Sequence, residues 1–201
     1  MNSHKEFLKV FPVFSIGMGF ILMLVCILAD AQTFASNELR WAENRKLSWQ
    51  DFTGTVDPIR NANVQAVAKV AIDLTTKAEN DTVWFEVQSS FIKNGSWTIN
   101  RTSDYLLQHE QLHFDIAELH ARKLRKRLGE LRGLTFSNLR QKVHAVYQDL
   151  QKQHENFQQR YDAETNHSNN QRMQSVWNSK VEQLLIQWEN YNDPLVHNTI
   201  R

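Results

Sequence analysis

Thiol chemistry is nearly absent from this chain: its one cysteine is Cys26. A single thiol cannot form an intrachain disulfide, and a multi-thiolate metal site is excluded. Only three Pro and six Gly occur in 201 residues, which argues against a loop-dominated or repeat architecture. Nor is there a surplus of charge, with 23 Lys+Arg against 22 Asp+Glu. No overall field draws the protein to nucleic acid, to a polyanion or to a membrane surface. A metal ion, if there is one, must be held by His and carboxylate groups.

The first 31 residues differ from the rest. Lys5 and Lys9 precede an apolar stretch from Val10 to Ala29, which closes on Ala29-Asp30-Ala31. A basic start, an apolar run and a small-x-small end form the pattern of a secretory signal cut after Ala31. The rival reading is an uncleaved anchor, because roughly 20 apolar residues can span a bilayer. Val25 before Cys26 is too large for a lipobox, so lipidation is not expected. Cleavage would leave a mature chain, residues 32–201, with no cysteine and no stable membrane insertion, and would make it secreted or periplasmic.

The mature chain divides into a β-rich part (32–100) and a helical part (101–201). Leu47 to Gly54 reads as a short extended segment and turn, followed by a loop at Pro58. Val64, Ala66, Ala68, Val70, Ile72 and Leu74 alternate with mostly polar neighbours, as one half-buried strand does. After a turn at Glu79-Asn80-Asp81, Val83, Phe85, Val87, Ser89 and Phe91 repeat the pattern. Asn94-Gly95 predicts a type I′ hairpin returning through Trp97 and Ile99. From Ser103, a capping residue, no Gly or Pro interrupts the chain until Gly129, which predicts one helix over 104–128. Its basic end, Arg122 to Arg127, reads as solvated charge complementing the helix dipole. A second helix from about Ser137 carries the stripe Val143, Tyr147, Leu150, His154, Phe157 and Tyr161. Asn166 to Asn170 breaks the chain. A third helix then turns Met173, Val176, Trp177, Leu184, Leu185 and Trp188 inward, and the tail beyond Pro194 is expected to fray.

The chemistry concentrates in His109-Glu110-Gln111-Leu112-His113, an H-E-x-x-H pattern on the long helix. Residues four apart share a helix face, so both imidazoles can reach one Zn²⁺. Glu110 then faces the open side of the metal as a general base. His120 cannot be a third ligand, lying about 10 Å further along the axis at 1.5 Å per residue. Glu118 points roughly 140° away from His113 at 100° per residue. The third ligand must come from another element. His167 in the polar break is the first choice, Asp162 its chief competitor, and His154 a weaker one that reads as a packed residue.

The stretch from His109 to Glu118 resembles the signature of a family of predicted secreted bacterial zinc-dependent proteases. Leu47-Ser48-Trp49-Gln50-Asp51-Phe52-Thr53-Gly54 is similar to that family's opening motif, and Ser96-Trp97 fits as well. So does Tyr161 to Ser168, with Gln174 and Trp177 beyond it. The resemblance covers nearly the whole mature chain. Many members carry Gly where this chain has Leu112 and Ser168, and bulk at Leu112 is expected to narrow the pocket.

Together these readings predict an α+β, zincin-like domain: a small antiparallel sheet, the metal helix and two further long helices. The expected function is an exported zinc metallopeptidase acting on a peptide or protein substrate. Two alternatives stay open: a non-catalytic interaction protein of the envelope with a structural helix, and a zinc amidase acting on a cell-wall or other non-peptide substrate.

Overall fold

The computed structural model describes residues 37–56 and 64–201. The segment read as a secretory signal, residues 1–31, and the Pro58 loop lie outside the described residues. The architecture is mixed α+β, with antiparallel sheets and three helices. The strands are β1 (Glu38–Arg40), β2 (Ala66–Val67), β3 (Val70–Glu79), β4 (Thr82–Ile92), β5 (Trp97–Thr98) and β6 (Leu195–Thr199). The helices are α1 (Asp104–Gly129), α2 (Leu139–Thr165) and α3 (Gln171–Gln187).

β4 is the centre of the main sheet. One edge pairs with β3 from Thr82 to Phe91, through a tight turn in which Asn80 takes φ 54°. Its other edge pairs with β1 at one end and β6 at the other. The inward face of β4, with Val83, Phe85 and Val87 fully buried, packs on Ala117, Ala121, Leu124 and Leu128 of α1. Val143 and Leu150 of α2 join the same core. Ser103 caps α1 by accepting the Leu106 N–H at 3.1 Å. Among the described residues, no helix is long and apolar enough to cross a membrane.

Five local expectations are corrected. The single strand predicted over Val64–Leu74 is two, because the chain leaves the short β2–β5 pair at Ala68 and Lys69 before entering the main sheet as β3. The Asn94-Gly95 hairpin does not form: Lys93–Gly95 is a 3-10 turn, and β5 pairs with β2 instead of β4. Tertiary pairing overrides the local signal, since Thr53 N–H donates to Lys93 O at 3.1 Å and Gly54 N–H to Ser96 O at 2.8 Å. Gly54 is required there, as a Cβ would sit 2.7 Å from the carbonyl oxygens of Asn94 and Ser96.

The tail is not frayed. β6 pairs with β4, and the Asn198 amide donates to the carbonyls of Leu128, Gly129 and Leu131, satisfying the end of α1. The basic run is only partly solvated, because Arg122 and Arg125 are each 3% exposed. Arg125 donates to Val87 O and to Glu118, while Arg122 donates to Glu118, Leu185 O and Glu189. On α3, Trp177 is buried as expected, whereas Val176 is exposed and Val181 takes the inward place.

Candidate metal centre

α1 carries His109 and His113 one turn apart on the face turned towards α2. Their ring centroids lie 4.9 Å apart, nearly perpendicular. Tyr161 of α2 stacks on His109 at 4.7 Å and meets His113 edge-on at 4.9 Å, so a buried aromatic wall fixes both rings. One residue further along α2, Asp162 projects between the two imidazoles. Its Oδ1 is 3.3 Å from His109 Nε2 and 3.0 Å from His113 Nε2. Among the described residues, His109, His113 and Asp162 form the group whose ligand atoms, all within 4.8 Å of one another, could hold a metal ion.

The donor set fits such an ion. Two imidazoles and one carboxylate, without a thiol, make the three-ligand set typical of open zinc sites. The other ring nitrogens are engaged elsewhere: His109 Nδ1 lies 2.9 Å from Gln174 Oε1, and His113 Nδ1 2.6 Å from Gln158 Oε1. Burial alone would push Asp162 up, but contacts with His109 and His113 outweigh it and hold the carboxyl well below the usual range. Burial would lower His113, and the Asp162 hydrogen bond, with Glu110 nearby, instead raises it to about 8. Glu110, 2% exposed, is pushed up by burial, with His113, His109 and the Ala68 backbone opposing.

His109, Glu110, His113 and Asp162 line a cleft of about 540 Å³, whose opposite wall is the backbone from Val64 to Val70. The β2 segment therefore runs beside the metal helix. A larger cleft of about 670 Å³ lies against other residues of α1, between Trp41 and Ile186, and contains none of the three. The converging nitrogens and oxygen mark the smaller cleft as the candidate site.

The first choice of third ligand, His167, stands outside the group that could hold an ion, and its competitor Asp162 stands within it. α2 continues to Thr165, so Asp162 is still helical and faces α1. His167 is exposed in a left-handed turn at φ 49°, lining the cleft but standing outside the group. His154 is packed, as its place on the stripe suggests: Gln158 Nε2 lies 2.9 Å from its Nε2, and burial lowers it to about 4. His120 is buried and bound to Ile116 O at 2.8 Å, and Glu118 belongs to the arginine network. Leu112 does not narrow the cleft; it packs with Ile116, Tyr161, Trp177 and Val181.

The motif around Leu47 to Gly54 is a buttress. Leu47 N–H donates to Gln111 Oε1 at 2.7 Å, and Trp49 and Phe52 pack with Phe91 and Phe114 behind α1. Gln158 and Gln174 had no ligand-orienting signal in the sequence, because amide partners carry no spacing rule. Residues 35–168 match the model of the family described as "Bacterial protein of unknown function (DUF922)". No curated protein and no solved structure matches the chain.

Proposed function

We propose that this chain, which belongs to the bacterial DUF922 family, is an exported zinc-dependent hydrolase that cleaves peptide bonds. The observation that carries the reading is the convergence of His109 Nε2, His113 Nε2 and Asp162 Oδ1 beside the buried carboxyl of Glu110. His109, His113 and Asp162 would hold the ion. Bound there, zinc supplies Lewis-acid polarisation of a water molecule and of the carbonyl that the water attacks.

Glu110 moves the protons. Its carboxylate, pushed up by burial, is a stronger base than an exposed glutamate. It takes the proton of the attacking water and returns it to the leaving amine, so the group ends the cycle as it began. The Ala68 backbone lies near enough to the Glu110 carboxyl to oppose part of that rise. The wall from Val64 to Val70 offers backbone alongside the cleft, which suits an extended substrate laid against a strand.

Metal analysis of the purified mature chain, together with hydrolysis of a peptide library, tests the reading. About one zinc per chain and cleavage lost on chelation are expected. Glu110→Gln should keep the zinc and lower turnover by about 10²–10⁴-fold, the usual worth of a positioned base. Turnover equal to wild type in that variant would overturn the role of Glu110. A zinc-loaded chain that cleaves no peptide but releases a cell-wall amide would replace the substrate class.

A further inference from the structure

We infer that Gln158 and Gln174 are positioning residues: two neutral amides that lock His109 and His113 in the tautomer whose Nε2 lone pairs converge on one cation. The inference rests on the zinc reading above, and it concerns what prepares the site before any ion arrives.

The argument begins with Gln158, whose amide has only one self-consistent orientation. Its Nε2 lies 2.9 Å from the carbonyl oxygen of His113. A carbonyl only accepts, so the amide nitrogen must face it. The same nitrogen lies 2.9 Å from His154 Nε2, which takes its second proton. Oε1 is thereby left facing His113 Nδ1 at 2.6 Å, and since Oε1 only accepts, Nδ1 must carry the proton. In a neutral imidazole that leaves the lone pair on Nε2, the atom turned towards Asp162.

Gln174 repeats the arrangement from α3. Its Nε2 donates to Asn178 Oδ1 at 2.8 Å, and its Oε1 accepts the single proton of the Tyr161 hydroxyl at 2.9 Å. The hydroxyl oxygen, 2.8 Å from His109 Nδ1, then faces that nitrogen as an acceptor beside Oε1 at 2.9 Å, so Nδ1 carries the proton. Gln174 is 1% exposed, so these bonds compete with no solvent. Both neutral rings thus direct a lone pair at a carboxylate oxygen about 3 Å away, 3.3 Å for His109 and 3.0 Å for His113. A lone pair and a carboxylate oxygen that face each other need a cation between them: a proton in the metal-free chain, which makes the His113–Asp162 hydrogen bond, or a metal ion in its place. The amides behind the two rings are therefore arranged for a cation, and they stand where a carboxylate partner is also common. A neutral partner adds no negative charge to a site that already holds Glu110 and Asp162.

Gln174 also gives α3 a role. The family match ends at Ser168, before this helix begins. Yet the orientation of His109 depends on a residue six positions beyond it.

Cobalt and zinc affinity, measured by chelator competition, tests the inference in Gln174→Leu, Gln174→Glu and Gln158→Leu, with melting of the metal-free chains as a folding control. Each Leu variant should bind the metal about 10–100-fold more weakly, the usual effect of losing such a partner. Gln174→Glu keeps an oxygen for His109 Nδ1, and Asn178 can turn its amide to donate, so affinity should return to within a few-fold of wild type. A Leu variant that binds as tightly as wild type would overturn the inference. So would a Glu variant as weak as the Leu variant, since packing and not the acceptor would then matter. Nitrogen NMR of the metal-free wild type at alkaline pH reads the tautomers directly, whether or not the Leu variants fold. Protons on both Nδ1 atoms are expected, and protons on both Nε2 atoms would overturn the lock. This measurement also separates the two ideas: a wild type that binds no zinc sinks the hydrolase reading while the tautomers still judge the amides.

Discussion

Replacing Asp162 by Ala tests the third ligand through two independent measurements. In the metal-free chain, this carboxylate is 3.0 Å from His113 Nε2, and its hydrogen bond, against the lowering effect of burial, helps lift His113 from 6.5 to about 8. That rise is worth about 2 kcal/mol of folding stability, at roughly 1.4 kcal/mol per tenfold. The sign follows from the folded value lying above the unfolded one. The stabilisation is fully present below about pH 6.5 and is lost as the pH rises through about 8. With chelator present, denaturant unfolding of the wild type should therefore show a fall of about 2 kcal/mol between those limits, which Asp162→Ala should lack. The second measurement is the stabilisation that zinc confers. At a free concentration 1,000 times Kd it adds about 4 kcal/mol, and a 100-fold weaker site loses about 2.7 kcal/mol of that gain. Asp162→Ala should show a loss of at least this size, whereas His167→Ala should respond to zinc as wild type does. If His167→Ala loses the zinc response and Asp162→Ala keeps it, the ligand set drawn from the geometry is wrong.

Other predictions follow from particular contacts. Arg125→Leu removes one of the two guanidinium partners of Glu118, which keeps Arg122 and Ser89, and leaves the buried Val87 O without its donor, so equilibrium unfolding should show a loss of about 1–3 kcal/mol. Ser168 sits at φ 69°, where a side chain costs about 1–2 kcal/mol. Ser168→Gly relieves that strain against about 0.5–1 kcal/mol of added chain entropy, so the midpoint should rise slightly, and a clear fall would refute the reasoning. Export with cleavage after Ala31 predicts Gln32 as the first residue of the mature protein by mass spectrometry, and an intact Met1 in the membrane fraction would favour the anchor.

The sequence made α1 legible because three local signals agree there: a Ser103 cap, 25 residues without Gly or Pro from Asp104 to Leu128, and the i, i+4 histidines. The stripe on α2 was legible for the same reason, and Val143, Leu150, His154 and Tyr161 are indeed buried. The misreadings have a common cause, which is that tertiary contacts decided them. Asn94-Gly95 would suit a free hairpin, but Thr53 and Gly54 pair with that turn and draw it into another shape. The β6 tail carries little local signal and is fixed by the unpaired edge of β4. Asp162 lost to His167 in the sequence because a polar break looks free to turn an imidazole inward. In the fold, the last turn of α2 already points Asp162 at the site, and the left-handed residues after Thr165 lead the chain away to α3.

The buried arginines connect the fold to the chemistry. Side chains ride about 5–6 Å from a helix axis, so a 20° rotation of α1 would move its imidazole nitrogens by about 2 Å. Metal bonds tolerate about 0.2 Å. Apolar packing along Ala117, Ala121 and Leu124 holds the helix against the sheet, but small side chains alone permit rolling. Arg125 removes that freedom by bonding Val87 O with both Nε and Nη2, tying one side of α1 to the central strand. Arg122 ties it to Leu185 O on α3, the helix that also brings Gln174 to His109. Burying two guanidinium groups is costly, and leucines would pack as well there. Directional bonds at the far end of α1 set the helix rotation that brings His109 and His113 onto Asp162, which is why this chain spends buried charge where a core would normally be apolar.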